Sequence, residues 1–101
     1  MIIDLKDIKV SKNYSPRKEV NSEAISNYKE NYELGDDLPP LIIQKEEKIL
    51  VDGFHRYFAL KELGKETAEV KLLDIPKNEI RAEAIRRNRK HGVRFTKGRA
   101  N

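Results

Sequence analysis

The feature that most constrains this chain is a strand that runs into a helix through a single glycine, Leu50-Val51-Asp52-Gly53-Phe54-His55-Arg56-Tyr57. The apolar residues before Asp52 read as a buried strand. Phe54, Tyr57, Phe58, Leu60 and Leu63 follow at helical spacing and are read mostly as core, and Gly64 ends the helix. A helix that starts directly after a strand leaves its first N–H groups without partners and directs the positive end of its dipole outward. His55 and Arg56 fall in that same turn. Together these parts describe an anion site suited to phosphate. An ordinary tight turn with two polar surface residues has the same spelling. Asp52 is out of place beside a phosphate unless a metal ion or a proton intervenes.

Around that junction the chain spells a small α+β domain. Residues 2–10 alternate loosely and are expected to form a short strand followed by a turn at 11–16, where Asn13, Ser15 and Pro16 sit. Asn21 is placed to cap a helix, with Val20 and Ile25 at the two positions of a hydrophobic staple. Ile25, Tyr28 and Tyr32 continue that helix and Gly35 stops it. After a loop at 36–40, residues 41–44 and 49–51 read as two strands of a hairpin around a charged turn. Residues 68–75 form another strand, ended by Pro76. Asn78 is placed to cap a last helix over 79–90, finishing at His91-Gly92, with Ile80, Ala84 and Ile85 as a narrow apolar face. The expected order is β-α-β-β-α-β-α in a compact single domain over residues 1–92, followed by a basic tail or linker start at 93–101.

Composition sets the size of the core. Leu, Ile, Val and Phe together number 27 of 101 residues, above the ~20% mark below which chains tend to stay disordered. That supports one modest core and no large cavity. The chain has no cysteine, which excludes disulfides, thiolate zinc sites, iron–sulfur clusters and thiol chemistry. No apolar run approaches the ~18 residues of a membrane span, and the first six residues do not spell a signal peptide. A soluble, cytoplasmic protein without a membrane partner is expected. Charge is unevenly spread. Residues 81–101 carry eight Lys or Arg against Glu83 alone, a net of +7, so the first eighty residues hold −3 of the total of +4. A basic end on a slightly acidic body is the footprint of a polyanion contact. Arg86, Arg87, Lys90 and Arg94 are the candidate contacts to a DNA backbone. The plain alternative is a solvated, arginine-rich helix.

Asp52-Gly53-Phe54-His55-Arg56-Tyr57-Phe58-Ala59, closed by Leu63-Gly64, resembles the box shared by the ParB N-terminal domain and sulfiredoxin. Three further segments agree in order. Ser15-Pro16-Arg17-Lys18 is similar to the Pro-Arg element before the first helix in ParB. Leu38-Pro39-Pro40-Leu41-Ile42-Ile43 is similar to the segment entering the central hairpin in both families. Ile85-Arg86-Arg87-Asn88-Arg89-Lys90-His91-Gly92 resembles the last motif of ParB-like domains, an Asn on a helix followed by basic residues. The resemblance implies nucleotide binding, with ATP, ADP or CTP as the ligand and Mg²⁺ as an accompanying ion. It implies that Gly53, His55 and Arg56 grip phosphate, that Arg17 reaches the same site, and that Asn88 and Arg89 add a polar wall. Two positions depart from the families. Phe54 stands where sulfiredoxin has its catalytic Cys, so repair of a sulfinic acid is excluded. His55 stands where chromosomal ParB proteins carry Arg or Glu.

Two functions compete. The first is a ParB-like, DNA-associated module whose nucleotide or phosphate site serves as a switch or a nuclease centre. It would be of the partition, transcription-regulator or nuclease type, and the N-terminal part of a longer DNA-binding protein or a stand-alone relative. A homodimer is compatible with it. The second is an ATP- or ADP-dependent small-molecule kinase, or a nucleotide hydrolase. Some free-serine kinases resemble this superfamily and carry an Asp-Gly-x-His-Arg turn, which residues 52–56 reproduce. Asp52 is then the candidate catalytic residue, as base or as the group that orients the acceptor, with Mg²⁺ on the phosphates. No metal ligand set is spelled directly, because two His this far apart make no zinc site. Glu19, Glu23 and Asp52 could supply a base or a Mg²⁺ ligand, though Glu19 and Glu23 are better explained as charges near a helix N-terminus. His91 fits a helix-end cap, and Ser15 has no adjacent base to make it a nucleophile.

Overall fold

The computed structural model of the chain describes residues 1–11 and 21–87. Along them run β1 (Ile2–Asp4), α1 (Ser22–Glu33), β2 (Leu41–Gln44), β3 (Leu50–Asp52), α2 (Phe54–Glu62) and β4 (Thr67–Leu73). A helical stretch, α3, covers residues 80–87. Single 3-10 turns lie at Leu5–Asp7 and Lys77–Glu79. The strands form one mixed sheet in the order β1-β4-β2-β3. β2 pairs antiparallel with β3 and parallel with β4, Leu41 standing opposite Val70. β1 pairs antiparallel with β4, with Ile3 opposite Ala68.

The continuous apolar run of β2 is explained by burial on both faces of the sheet. Leu41 and Ile43 point to one side, where they pack with Phe54, Tyr57 and Leu60 of α2 and with Ala68 and Val70 of β4. Ile42 points to the other side, with Ile49, Val51, and Ile80 and Ala84 of α3. Ile80 and Ala84 are fully buried, so the narrow apolar face read for the last helix is the one it uses. Gln44 is also fully buried. Its Nε2 donates to the Ile75 carbonyl at 2.9 Å and its Oε1 accepts the Glu47 N–H at 2.7 Å, which ties the hairpin turn to the end of β4.

The element order is the expected one. Asn21 caps α1, its Oδ1 accepting the N–H groups of Glu23 and Ala24 at 2.8 and 3.1 Å. α1 ends at Gly35 (φ +82°), where the N–H of Asp36 reaches the Asn31 carbonyl and that of Gly35 the Tyr32 carbonyl. α2 ends the same way at Gly64, with Lys65 bonded back to Leu60.

Two local details are added by the structure, one of them a correction. The short first strand is Ile2–Asp4, and the turn after it is the 3-10 turn at Leu5–Asp7. The chain leaves one edge of the sheet there, crosses the α2 face burying Leu5 and Ile8, and reaches the opposite edge. There the Leu50 N–H donates to the Lys9 carbonyl at 2.8 Å. One straight strand cannot serve both edges. The correction is that Asn78 does not cap the last helix. It lies inside the 3-10 turn that follows Pro76, and the α-helix begins at Ile80. Val20, the end of the last helix at 88–90, His91-Gly92 and the 93–101 tail lie outside the described residues. Among the described residues, no helix is long and apolar enough to cross a membrane.

Candidate functional site

The junction of β3 and α2 turns on Gly53, whose backbone is left-handed (φ +96°, ψ 31°). A Cβ at this position would stand 2.8 Å from Leu41 Cδ2 and 3.2 Å from Arg56 Nη2, so no other residue fits without displacement. The left-handed turn lets α2 begin with Gly53 as the single residue between it and β3. Glycine brings no capping side chain, and the first turn of α2 holds no acidic residue. The Tyr57 N–H is bonded to the Gly53 carbonyl at 2.8 Å. The N–H groups of Phe54, His55 and Arg56 stand at the positive end of the helix, where main-chain donors can receive an anion.

The three side chains read as candidates at this junction each have a defined partner. The Oδ1 of half-buried Asp52 accepts the Gly53 N–H at 2.8 Å, so this carboxylate braces the turn. His55, also half-buried, accepts the main-chain N–H of Asn21 on Nε2 at 3.0 Å. The starts of α1 and α2 are therefore in direct contact. Arg56 is buried at 8% exposure. Its Nη1 donates to the carbonyls of Pro39 and of Pro40, the latter at 3.2 Å. That pulls the loop before β2 against the junction. Among the described residues Arg56 forms no ion pair with a carboxylate. Two carbonyls do not exhaust the five N–H groups of a guanidinium. Tyr32 of α1 shares this environment. Burial raises its hydroxyl above the usual tyrosine value of 10.0, Arg56 draws it down, and Tyr28 adds to the rise.

The remaining site candidates divide by position. Arg17, Asn88 and Arg89, read as further phosphate contacts, lie outside the described residues, as do Lys90 and Arg94 of the DNA set. Arg86 and Arg87 are on α3, across the sheet from α2. Both close on Glu83 of their own helix, Arg86 Nη1 at 2.5 Å and Arg87 Nε at 2.8 Å. Among the described residues, no three His, Asp or Glu side chains are grouped to hold a metal ion. A groove of about 640 Å³ lies elsewhere, between the first 3-10 turn and α2, lined by Leu5, Ile8, Tyr57, Lys61 and Lys65 among others. It does not include residues 53–56.

Sequence reasoning missed the Asn21–His55 contact and the burial of Arg56. The second had a signal. Arg56 precedes Ala59 and Leu60 by three and four residues, which puts it on the buried stripe of α2. The first had none, because nothing in the spacing of residues 21 and 55 marks two helix starts as neighbours.

No family model matches the chain. The transcriptional regulator NovG of Streptomyces niveus is 34% identical over 64 residues, which make up 63% of this chain and 20% of that protein. The C-terminally truncated chromosome-partitioning protein ParB of Caulobacter crescentus, complexed with CTP-γ-S, superposes with a TM-score of 0.75 at 15% identity, over 87% of this chain and 51% of that one. The same protein complexed to the centromeric parS site gives 0.64 at 12% identity, over 83% and 44% of the two chains. Sulfiredoxin from Arabidopsis thaliana gives 0.67 at 18% identity, over 82% of this chain and 96% of that one. The chain has the fold shared by ParB N-domains and sulfiredoxin. It spans a fifth of NovG and about half of the Caulobacter chain.

Proposed function

We propose that this chain is a ParB-like, DNA-associated module that takes the phosphates of a nucleotide at the β3–α2 junction. The observation that carries the reading is Gly53. It combines a left-handed turn, packing against Leu41 and Arg56 that only glycine fits, and a helix start with no side-chain cap. The N–H groups of Phe54, His55 and Arg56 bind the phosphate, with the buried charge of Arg56 behind them. Arg17, Asn88 and Arg89 complete the enclosure. Arg86, Arg87, Lys90 and Arg94 meet the DNA backbone as a sequence-tolerant contact. The fold neighbours support this reading, since one is a complex with CTP-γ-S and another a complex with parS DNA. The likeness to a transcriptional regulator points the same way. Mg²⁺ would ride on the phosphates, with Asp52 the carboxylate at the junction.

A phosphotransferase reading rests on the Asp-Gly-x-His-Arg spelling of residues 52–56 and needs Asp52 as a base. The bond from the Gly53 N–H to Asp52 favours a bracing role instead. Calorimetric titration with ATP, ADP and CTP in the presence of Mg²⁺, paired with amide NMR, tests the proposal. Saturable binding that shifts the amides of residues 53–56 is the expected result. Absence of binding by all three nucleotides would remove the phosphate site. Turnover of ATP with a small acceptor, abolished by Asp52→Asn, would favour the phosphotransferase.

A further inference from the structure

The imidazole of His55 sits where two helices begin. Its Nε2 accepts the main-chain N–H of Asn21 at 3.0 Å. A ring nitrogen can receive an N–H only if it carries no proton, so the neutral ring here holds its proton on Nδ1. Asn21 is the cap of α1, and its own side chain is committed to the N–H groups of Glu23 and Ala24. The bond to His55 therefore fixes where all of α1 starts relative to the first turn of α2. Among the described residues, the charged groups in the first turns of α1 and α2 and at the end of β3 are Glu23, Arg56 and Asp52, while Lys29, Glu30, Glu33, Lys61 and Glu62 lie further along the two helices. Asp52 is turned to the Gly53 N–H, and Arg56 to the carbonyls of Pro39 and Pro40.

We propose that His55 is a positioning residue, resting on the phosphate reading above. In its neutral form it locks the start of α1 onto the turn that receives the phosphate. Protonation opens that lock, because an Nε2–H would face the Asn21 N–H and neither could accept. The positive ends of two helix dipoles converge on the same ring, so the lock belongs to the neutral imidazole alone.

Two variants separate this role from a direct phosphate contact. The Oε1 of His55→Gln reaches the place of Nε2 and accepts the Asn21 N–H without titrating. The shorter His55→Asn does not reach it. In the wild-type protein, imidazole ¹⁵N shifts are expected to show the proton on Nδ1. The protection factor of the Asn21 amide, its observed exchange set against the intrinsic rate at each pH, should fall about fivefold to tenfold when the ring is protonated, the size of one net hydrogen bond. His55→Asn should show the low protection at every pH, and His55→Gln the high one. ADP affinity should fall by a similar factor in His55→Asn and be largely restored in His55→Gln. A proton on Nε2 in the neutral wild type would overturn the lock, as would Asn21 exchange indifferent to His55→Asn. Equal loss of ADP affinity in both variants would make the ring a ligand and not a positioning group. Failure of ADP to bind the wild type would remove the phosphate reading, while the exchange and tautomer measurements would still decide the lock.

Discussion

Adding one methyl group at Gly53 brings two penalties together. A non-glycine residue in the left-handed region costs about 1–2 kcal/mol, and overlap with Leu41 Cδ2 at 2.8 Å adds overpacking. Gly53→Ala is expected to destabilise the fold by about 2–4 kcal/mol in urea denaturation. A loss below about 1 kcal/mol would mean that the turn relaxes freely. Arg56 tests a different property, the fork of its guanidinium. Arg56→Lys keeps the charge and cannot span the Pro39 and Pro40 carbonyls in the same way. A stability loss of about 1.5–3 kcal/mol is expected, the range for hydrogen bonds to a charged group. Full retention of stability would show that the loop before β2 is held by other contacts. Tyr32 supplies a pH dependence. Its folded-state hydroxyl titrates above its unfolded value of 10.0, chiefly because it is buried. The unfolded chain therefore loses that proton first. Stability is fully present below pH 10.0 and declines as pH rises through the folded value. Tyr32→Phe should flatten that decline relative to the wild type, and parallel curves for the two proteins would contradict it.

The helices differ in how openly the sequence declares them. α1 and α2 carry their stop signals as glycine, and both end with the pair of back-bonds that a left-handed residue permits. Their limits were therefore legible. α3 was legible by its Ile80 and Ala84 face but not by its start, since the Pro76 carbonyl takes the Glu79 N–H in a 3-10 turn first. The short first strand and the turn after it were legible, but not the crossing to the opposite sheet edge, because alternation over residues 2–10 does not show which edge a segment that also buries every few residues will reach. The β3–α2 junction was legible as a phosphate candidate, since a glycine between strand and helix is a local signal. The partners of its side chains were not, because Asn21, Pro39 and Pro40 approach through the tertiary fold. On α3, Glu83 holds Arg86 and Arg87 at once. Because the Glu83 carboxylate is half-buried and holds both guanidiniums, Glu83→Gln should cost about 1–2 kcal/mol. It should raise affinity for duplex DNA measured by anisotropy, steepening the salt slope by about 0.9 for each phosphate newly engaged. An unchanged isotherm would take both arginines out of the DNA contact.

Over the whole molecule, charge and topology set the behaviour. With a net −3 in its first eighty residues and +7 beyond, the chain can orient one end toward a polyanion. Three to five phosphate contacts predict weak, sequence-tolerant DNA binding with a slope of log K against log salt of roughly −3 to −4.5. Reversing Arg86 and Arg87 to Glu should flatten that slope for all sequences alike. Negligible affinity at every salt concentration would leave the function to the nucleotide site alone. The strand order carries a consequence of another kind, for the route by which the chain folds. β4 is the one strand that touches both β1 and β2, so it joins the first residues of the chain to the hairpin that follows α1. Until it is in place, β1 has no partner strand and β2 has one open edge, with Leu41 and Ile43 unable to complete their layer. The hairpin of β2 and β3 can close early, since its ends are near in sequence. Completion of the sheet waits on contacts between distant parts of the chain, which makes loop closure the slow event. A growing chain therefore gains its sheet in one late step, when β4 slots between the strand made first and the hairpin made next.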